Sequence, residues 1–296
     1  MQAVWHIIVQ AIEKTTRQSF RLQKVVAVQG GDINQTYQLQ GTDISYFVKL
    51  NKVSLLTMFE AEVSGLHALQ QTKTVRIPNV ITVGCAKHYA FLVLEYLSLS
   101  SLKKVTQRQF GEQLAALHRQ PQSSFGWHED NYIGSNQQYN GKYSDWVTFW
   151  QQQRLIAQLE LALENGYSGT LQAKGQILCE LLPAFFVNYQ PQPSLLHGDL
   201  WSGNYAADEQ GDVVIYDPAC YIGDREADIA MTELFGCLSA DFYVAYNEVW
   251  PLDDGYHIRK NLYNLYHILN HVNLFGASYI QQAEMMMKRL ITEVKI

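Results

Sequence analysis

His197-Gly198-Asp199-Leu200-Trp201-Ser202-Gly203-Asn204, followed by Val213-Val214-Ile215-Tyr216-Asp217, is the stretch on which the fold turns. It spells H-x-D-x-x-x-x-N, then an apolar strand, then a second aspartate eighteen residues beyond Asp199. Phosphoryl transfer gives each part a task. One carboxylate accepts or orients the proton of an acceptor hydroxyl, while a carboxylate and an amide hold a hard divalent cation on a triphosphate. The set offers only oxygen ligands, which suits Mg2+. Taken singly these residues have plainer uses: His-Gly-Asp is common in turns, and an Asp ending a strand often caps a helix.

Upstream of this centre the chain is β-rich. Residues 3–13 have the pattern of a short amphipathic helix, and the runs Arg21–Gln29, Asn34–Gln40 and Ile44–Leu50 read as three strands separated by Gly-Asp turns. Residues 55–70 place Leu55, Met58, Phe59, Val63, Leu66 and Leu69 at helical spacing, and Val80–Cys85 and His88–Glu95 read as two more strands. The fold class is therefore α+β: a five-stranded antiparallel sheet with a helix laid against it in residues 1–97, then a mainly helical lobe in residues 98–296. Helices are expected at 106–119, 143–165, 170–188, 226–236, 239–248, 256–275 and 278–294, with only Leu195–Leu196 and Val213–Tyr216 extended. The polar, Gly-rich stretch 120–142 reads as a long loop, and such loops in compact domains are usually functional.

The first lobe has parts that fit a nucleotide. Lys49 sits in the apolar run Tyr46-Phe47-Val48-Lys49-Leu50, and Glu62 on the next helix is within its reach. A Lys–Glu pair holds a lysine over the α- and β-phosphates. Glu60 faces roughly 160° away on a helical wheel, so Glu62 is preferred, beside Met58, Phe59 and Leu66 on the apolar side. Gly30 and Gly31, between the first two strands, allow backbone N–H groups to approach phosphates, although Gly-Gly-Asp is also an ordinary hairpin turn. No Walker A motif occurs. The backbone groups of Glu95 and Leu97, where the last strand runs out, are candidates to pair with an adenine edge, although the run also reads simply as the last core strand.

Composition sets outer limits. The 296 residues carry a net charge of −6 and no Lys/Arg run, which argues against nucleic acid as a partner. The four cysteines form no CxxC pair and no disulfide framework, as expected of reduced thiols in a cytoplasmic protein. No apolar run approaches membrane-spanning length, and the N-terminus lacks the marks of a signal peptide.

Six segments together resemble the fructosamine kinase (ketosamine-3-kinase) family, within the aminoglycoside-phosphotransferase branch of the protein-kinase-like superfamily. They are GGDINQTYQL (30–39), YFVKLN (46–51), MFEAEVSGLHAL (58–69), FGWHEDNYIGSNQQ (125–138), HGDLWSGN (197–204) and DPACYIGDREADIAMTELFG (217–236). The resemblance implies a two-lobed protein-kinase-like fold and ATP- and Mg2+-dependent phosphorylation of the sugar 3-hydroxyl of a ketosamine, free or protein-bound, a reaction associated with deglycation. By the same match Asp199 is the base, Asn204 and Asp217 bind metal, Lys49 and Glu62 serve the phosphates, and Trp201 is the sugar platform. His271 matches an element near the sugar. In the cluster Asp224, Glu226 and Asp228, Asp224 is a candidate for the substrate ammonium, although capping of the following helix is the favoured role for Asp224 or Asp228. Choline, ethanolamine or an aminoglycoside would equally suit an acidic site, and a non-catalytic nucleotide-binding scaffold is the third reading. The motif Asp217-Pro218-Ala219 lacks the Phe-Gly of protein kinases, which speaks against a regulatory flip of that loop.

Overall fold

The computed structural model describes residues 1–28, 33–236 and 238–294. The chain divides into two compact units: Met1–Lys103 with Ala206–Asp217, and Lys104–Tyr205 with Pro218–Ile296. Sequence alone suggested a single cut after Leu97. The contacts instead carry the first unit to Lys103 and add the hairpin segment that ends at Asp217.

The first unit opens with α1 (Gln2–Thr16), which Arg17 closes in the left-handed region. Strands β1 (Lys24–Ala27), β2 (Gln35–Gln40) and β3 (Ser45–Lys52) precede α2 (Leu56–Thr72), and β4 (Val80–Ala86) and β5 (Tyr89–Glu95) follow it. The sheet order is β1-β2-β3-β5-β4, and every pairing is antiparallel. The period-2 alternation of a strand explains the two faces. Val48 and Leu50 join Val4, Trp5, Ile8 and Ile12 of α1 in one apolar cluster. Lys49, between them, points to the other face. There it is aligned with Thr36 on β2 and Leu92 on β5, in the middle of the sheet.

The chain then enters its helical part. α3 is Lys104–His118, and the region read as one long loop contains a small hairpin of β6 (Asn131–Ile133) and β7 (Asn136–Gln138). The single helix expected over 143–165 is α4 (Trp146–Trp150) and α5 (Ala157–Glu164), joined by a π-helical stretch over Gln151–Ile156. Next come α6 (Thr170–Leu181), β8 (Pro193–Leu196), the paired strands β9 (Tyr205–Ala207) and β10 (Val213–Ile215), and β11 (Tyr221–Asp224) on β8. α7 (Glu226–Thr232), α8 (Ala240–Val249), α9 (Tyr256–Phe275) and α10 (Ile280–Val294) complete it. Strands β6, β7, β9 and β11 are three or four residues long, too short for a periodic signal, so the sequence reading left all four out. No helix among the described residues is long and apolar enough to cross a membrane.

Candidate active site

In the first unit, Lys49, Glu62 and Asp217 come together. Lys49 is only 3% exposed, and its Nζ donates to Glu62 Oε1 at 2.7 Å and to Asp217 Oδ1. Glu60 stays exposed. Burial opposes the Lys49 charge, but the Asp217 and Glu62 carboxylates outweigh it, so the lysine pKa lies above its ordinary value. Burial likewise pushes the Glu62 carboxyl up, against the pull of Lys49. A lysine buried this deeply is held as a cation only because two carboxylates face it.

Asp217 follows β10, whose Val213, Val214 and Ile215 are fully buried. Arg76 anchors that strand: Ile215 N–H donates to the Arg76 carbonyl at 3.1 Å, and the guanidinium pairs with Asp208 at the β9–β10 turn. Asp217 itself has φ +58, which a non-glycine residue adopts at a cost. At the end of β5, Glu95 N–H donates to the Asn79 carbonyl at 2.9 Å. Leu97 lies two residues past the strand end. Gly30 and Gly31 fall outside the described residues.

In the second unit the 197–204 loop is tied internally. Asn204 Nδ2 donates to the Asp199 carbonyl at 2.8 Å and to Asp199 Oδ2 at 3.1 Å, so the amide orients the carboxylate and turns its own Oδ1 the other way. Gly198 has φ +81, and a Cβ there would sit 2.1 Å from the Ala219 carbonyl oxygen, so only glycine fits. Gly203 admits the indole of Trp201: a Cβ would lie 2.4 Å from its ring. Trp201 remains 38% exposed.

Two residues that the sequence reading left unassigned or read as a cap hold this loop. Asp228 on α7 accepts the backbone N–H of His197 at 2.7 Å and of Gly198 at 2.9 Å, the two residues before Asp199. His118 on α3 lies 3.2 Å from Asp228 Oδ2 through Nε2 and 2.8 Å from the Tyr246 hydroxyl through Nδ1. A carboxylate only accepts, so Nε2–H donates and Nδ1 accepts from the tyrosine. Burial would raise the Asp228 pKa, but the His118 contact, the nearby histidines and the backbone donors bring it below the ordinary value. Burial lowers that of His118.

Asp224 needs correcting. It is fully buried and accepts from the Tyr263 hydroxyl, from the Tyr189 hydroxyl at 2.9 Å and from Glu226 N–H at 3.0 Å. It braces the start of α7 from within and cannot reach a substrate. Exposure is a tertiary property, so an acidic run in sequence could not separate this residue from a surface one. His271, on α9, packs by its ring against Phe235 at 4.9 Å.

The second unit thus provides an oriented carboxylate at Asp199 and an exposed indole, and the first a buried lysine held as a cation by Glu62 and Asp217. A family model described as fructosamine kinase matches residues 4–293. The chain belongs to the fructosamine kinase family. The chain is 43% identical over 291 residues to a probable ketoamine kinase of Vibrio parahaemolyticus, covering 98% of this chain and 100% of that one. It is 39% identical over 272 residues to the chloroplastic protein-ribulosamine 3-kinase of Arabidopsis thaliana, covering 91% of this chain and 83% of the other. A crystal structure from Haemophilus somnus, provisionally named a fructosamine-3-kinase, matches with a TM-score of 0.90 at 29% identity over 98% of each chain. The fructosamine kinase fold read from the sequence is therefore the fold of its family, and the protein is a phosphotransferase acting on a sugar hydroxyl.

Proposed function

We propose that this protein moves the γ-phosphoryl group of ATP to the 3-hydroxyl of a ketosamine, a fructosamine or ribulosamine adduct. The observation that carries the reading is the 197–204 loop. Its Asp199 carboxylate is oriented by Asn204, its backbone is clamped by Asp228, and its Trp201 ring is open beside it. In this mechanism Asp199 accepts the proton of the 3-hydroxyl as the oxygen attacks phosphorus. Lys49, kept charged by Glu62, stabilises the negative phosphates. The indole of Trp201 receives the sugar face and the neighbouring secondary ammonium, a cation that an aromatic face attracts.

Mg2+ fits the donor chemistry. Asn204 and Asp217 offer an amide and a carboxylate oxygen, and Mg2+ typically takes one or two carboxylates with phosphate and water completing its shell. A dense protein cage is not required. Among the described residues no group of three or more His, Cys, Asp or Glu is placed to hold a metal. Asn204 and Asp217 would hold Mg2+ on the triphosphate, where it would neutralise charge on the transferring group.

Purified protein given ATP, Mg2+ and fructosyl-lysine or ribulosyl-lysine is expected to release ADP and a ketosamine 3-phosphate, identified by mass and phosphorus NMR. Turnover confined to choline, ethanolamine or an aminoglycoside would reject the ketosamine assignment.

A further inference from the structure

A path of rings leads away from Trp201 in the second unit. Trp201 meets Phe235 edge-on, with centroids 6.4 Å apart. Phe235 stacks on the imidazole of His271 at 4.9 Å, and His271 meets Phe275 at 5.2 Å and Tyr279 at 5.0 Å. The near end is pinned, because the Ser202 hydroxyl donates to the Phe235 carbonyl at 2.8 Å and so ties the loop that carries Trp201 to the next ring. The far end is open: Phe275 is 46% exposed, a large apolar ring that the core does not use. At the hub, His271 Nδ1 is buried without a hydrogen-bond partner among the described residues. Burial lowers the pKa of that imidazole, so the hub is a neutral ring within an apolar surface.

A ketosamine has two ends. The sugar end belongs beside Asp199, and the amine bears whatever was glycated: a lysine stem, a peptide or an amino acid. A strip of neutral rings that begins at the sugar platform and runs outward suits that second end. An exposed aromatic surface continuous with a site marks a binding region more often than a random patch does.

We propose that Phe235, His271, Phe275 and Tyr279 form an aglycone subsite, which binds the apolar or aromatic group borne on the ketosamine nitrogen. The subsite rests on the ketosamine reading above. It makes this kinase selective by what was glycated as well as by the sugar.

The test compares two substrates with the same head and the same charges, fructosyl-glycine and fructosyl-phenylalanine, in wild type, Phe275→Ala and Phe275→Tyr. Wild type is expected to favour the phenylalanine adduct by about tenfold in kcat/KM, through KM, the scale of one good aromatic contact. Phe275→Ala is expected to cut that preference to about twofold or less, and Phe275→Tyr to restore it. Unfolding temperatures of both variants establish that they fold. An unchanged preference in folded Phe275→Ala, or no preference in wild type, overturns the subsite. So does a dimer that Phe275→Ala dissolves, which would make the strip an interface between copies of the chain. Failure of wild type to phosphorylate either adduct, with turnover on another alcohol, would instead overturn the ketosamine reading itself.

Discussion

Lys49 and Asp199 illustrate how one residue acquires chemistry from its neighbours. A lysine in the middle of a sheet would ordinarily lose its proton to burial. Here Glu62 at 2.7 Å and Asp217 hold the charge in place. Asp199 gains direction from the amide of Asn204, which bonds both its carbonyl and its carboxylate. Asp199→Asn keeps the size and the loop bonds but cannot take a proton. We expect kcat to fall by about a thousandfold, within the range of general-base loss, with ATP affinity within a few-fold. Steady-state kinetics with nucleotide binding by calorimetry checks this, and retained turnover would remove Asp199 from the base role. These residues were legible because their spacing carries the chemistry. Asp228 and His118 were not, since their partners are 30 or more residues distant and an Asp in the first turn of a helix has an adequate local explanation as a cap.

At the scale of elements, α7 does more than cover the core. Through Asp228 it fastens the turn before Asp199, and through His118 it reaches the end of α3. Asp228→Asn replaces a carboxylate that accepts from two backbone N–H groups and His118 by an amide whose NH2 would face a backbone donor. A loss of about 3 kcal/mol is expected from two charge-assisted bonds weakened in a buried site, read from urea unfolding, together with a lower kcat. A variant as stable and as active as wild type would show that the clamp carries no weight. Element type was readable wherever a long periodic pattern existed: four of the five sheet strands, α2 and α9 fall close to their expected spans, while β1 is confined to Lys24–Ala27 where Arg21–Gln29 was expected. The π-helical stretch within 143–165 was not. It carries Arg154, which is fully buried, bonds the Tyr139 carbonyl and Asn140 Oδ1, and lies over the Tyr221 ring at 4.1 Å. Extra backbone of this kind serves a distant side-chain fit, which leaves no periodic trace.

For the molecule as a whole, buried neutral histidines set an acid limit. Burial, helped by neighbouring His271 and Arg154 and opposed by Asp228, pushes the His267 pKa down from 6.5 to about 3. In the unfolded chain that ring takes a proton below about 6.5; in the fold it does not until about pH 3. The unfolded state therefore binds more protons across this window. Stability that is complete above 6.5 drains away as pH falls, by about 1.4 kcal/mol per unit for each such group. Relative to His267→Gln, wild type is expected to lose roughly 2 kcal/mol more between pH 6.5 and 5, measured by urea unfolding at both values. Parallel losses in the two proteins would mean that His267 does not carry the effect.

The sequence by itself determined the α+β class, the long periodic elements and the candidate set Lys49, Glu62, Asp199, Asn204 and Asp217, because hydrophobic period and motif spacing are local properties of the chain. Only the tertiary structure decided which polar residues are buried and what each one holds. It moved Asp224 from a candidate for the substrate ammonium into the packing of α7, since the carboxylate is fully buried and engaged by two tyrosine hydroxyls and a backbone N–H. It also decided that Asp228 grips the catalytic loop and that five rings, on segments up to 78 residues apart, form one strip, because such contacts arise from packing between elements whose separation the chain does not encode.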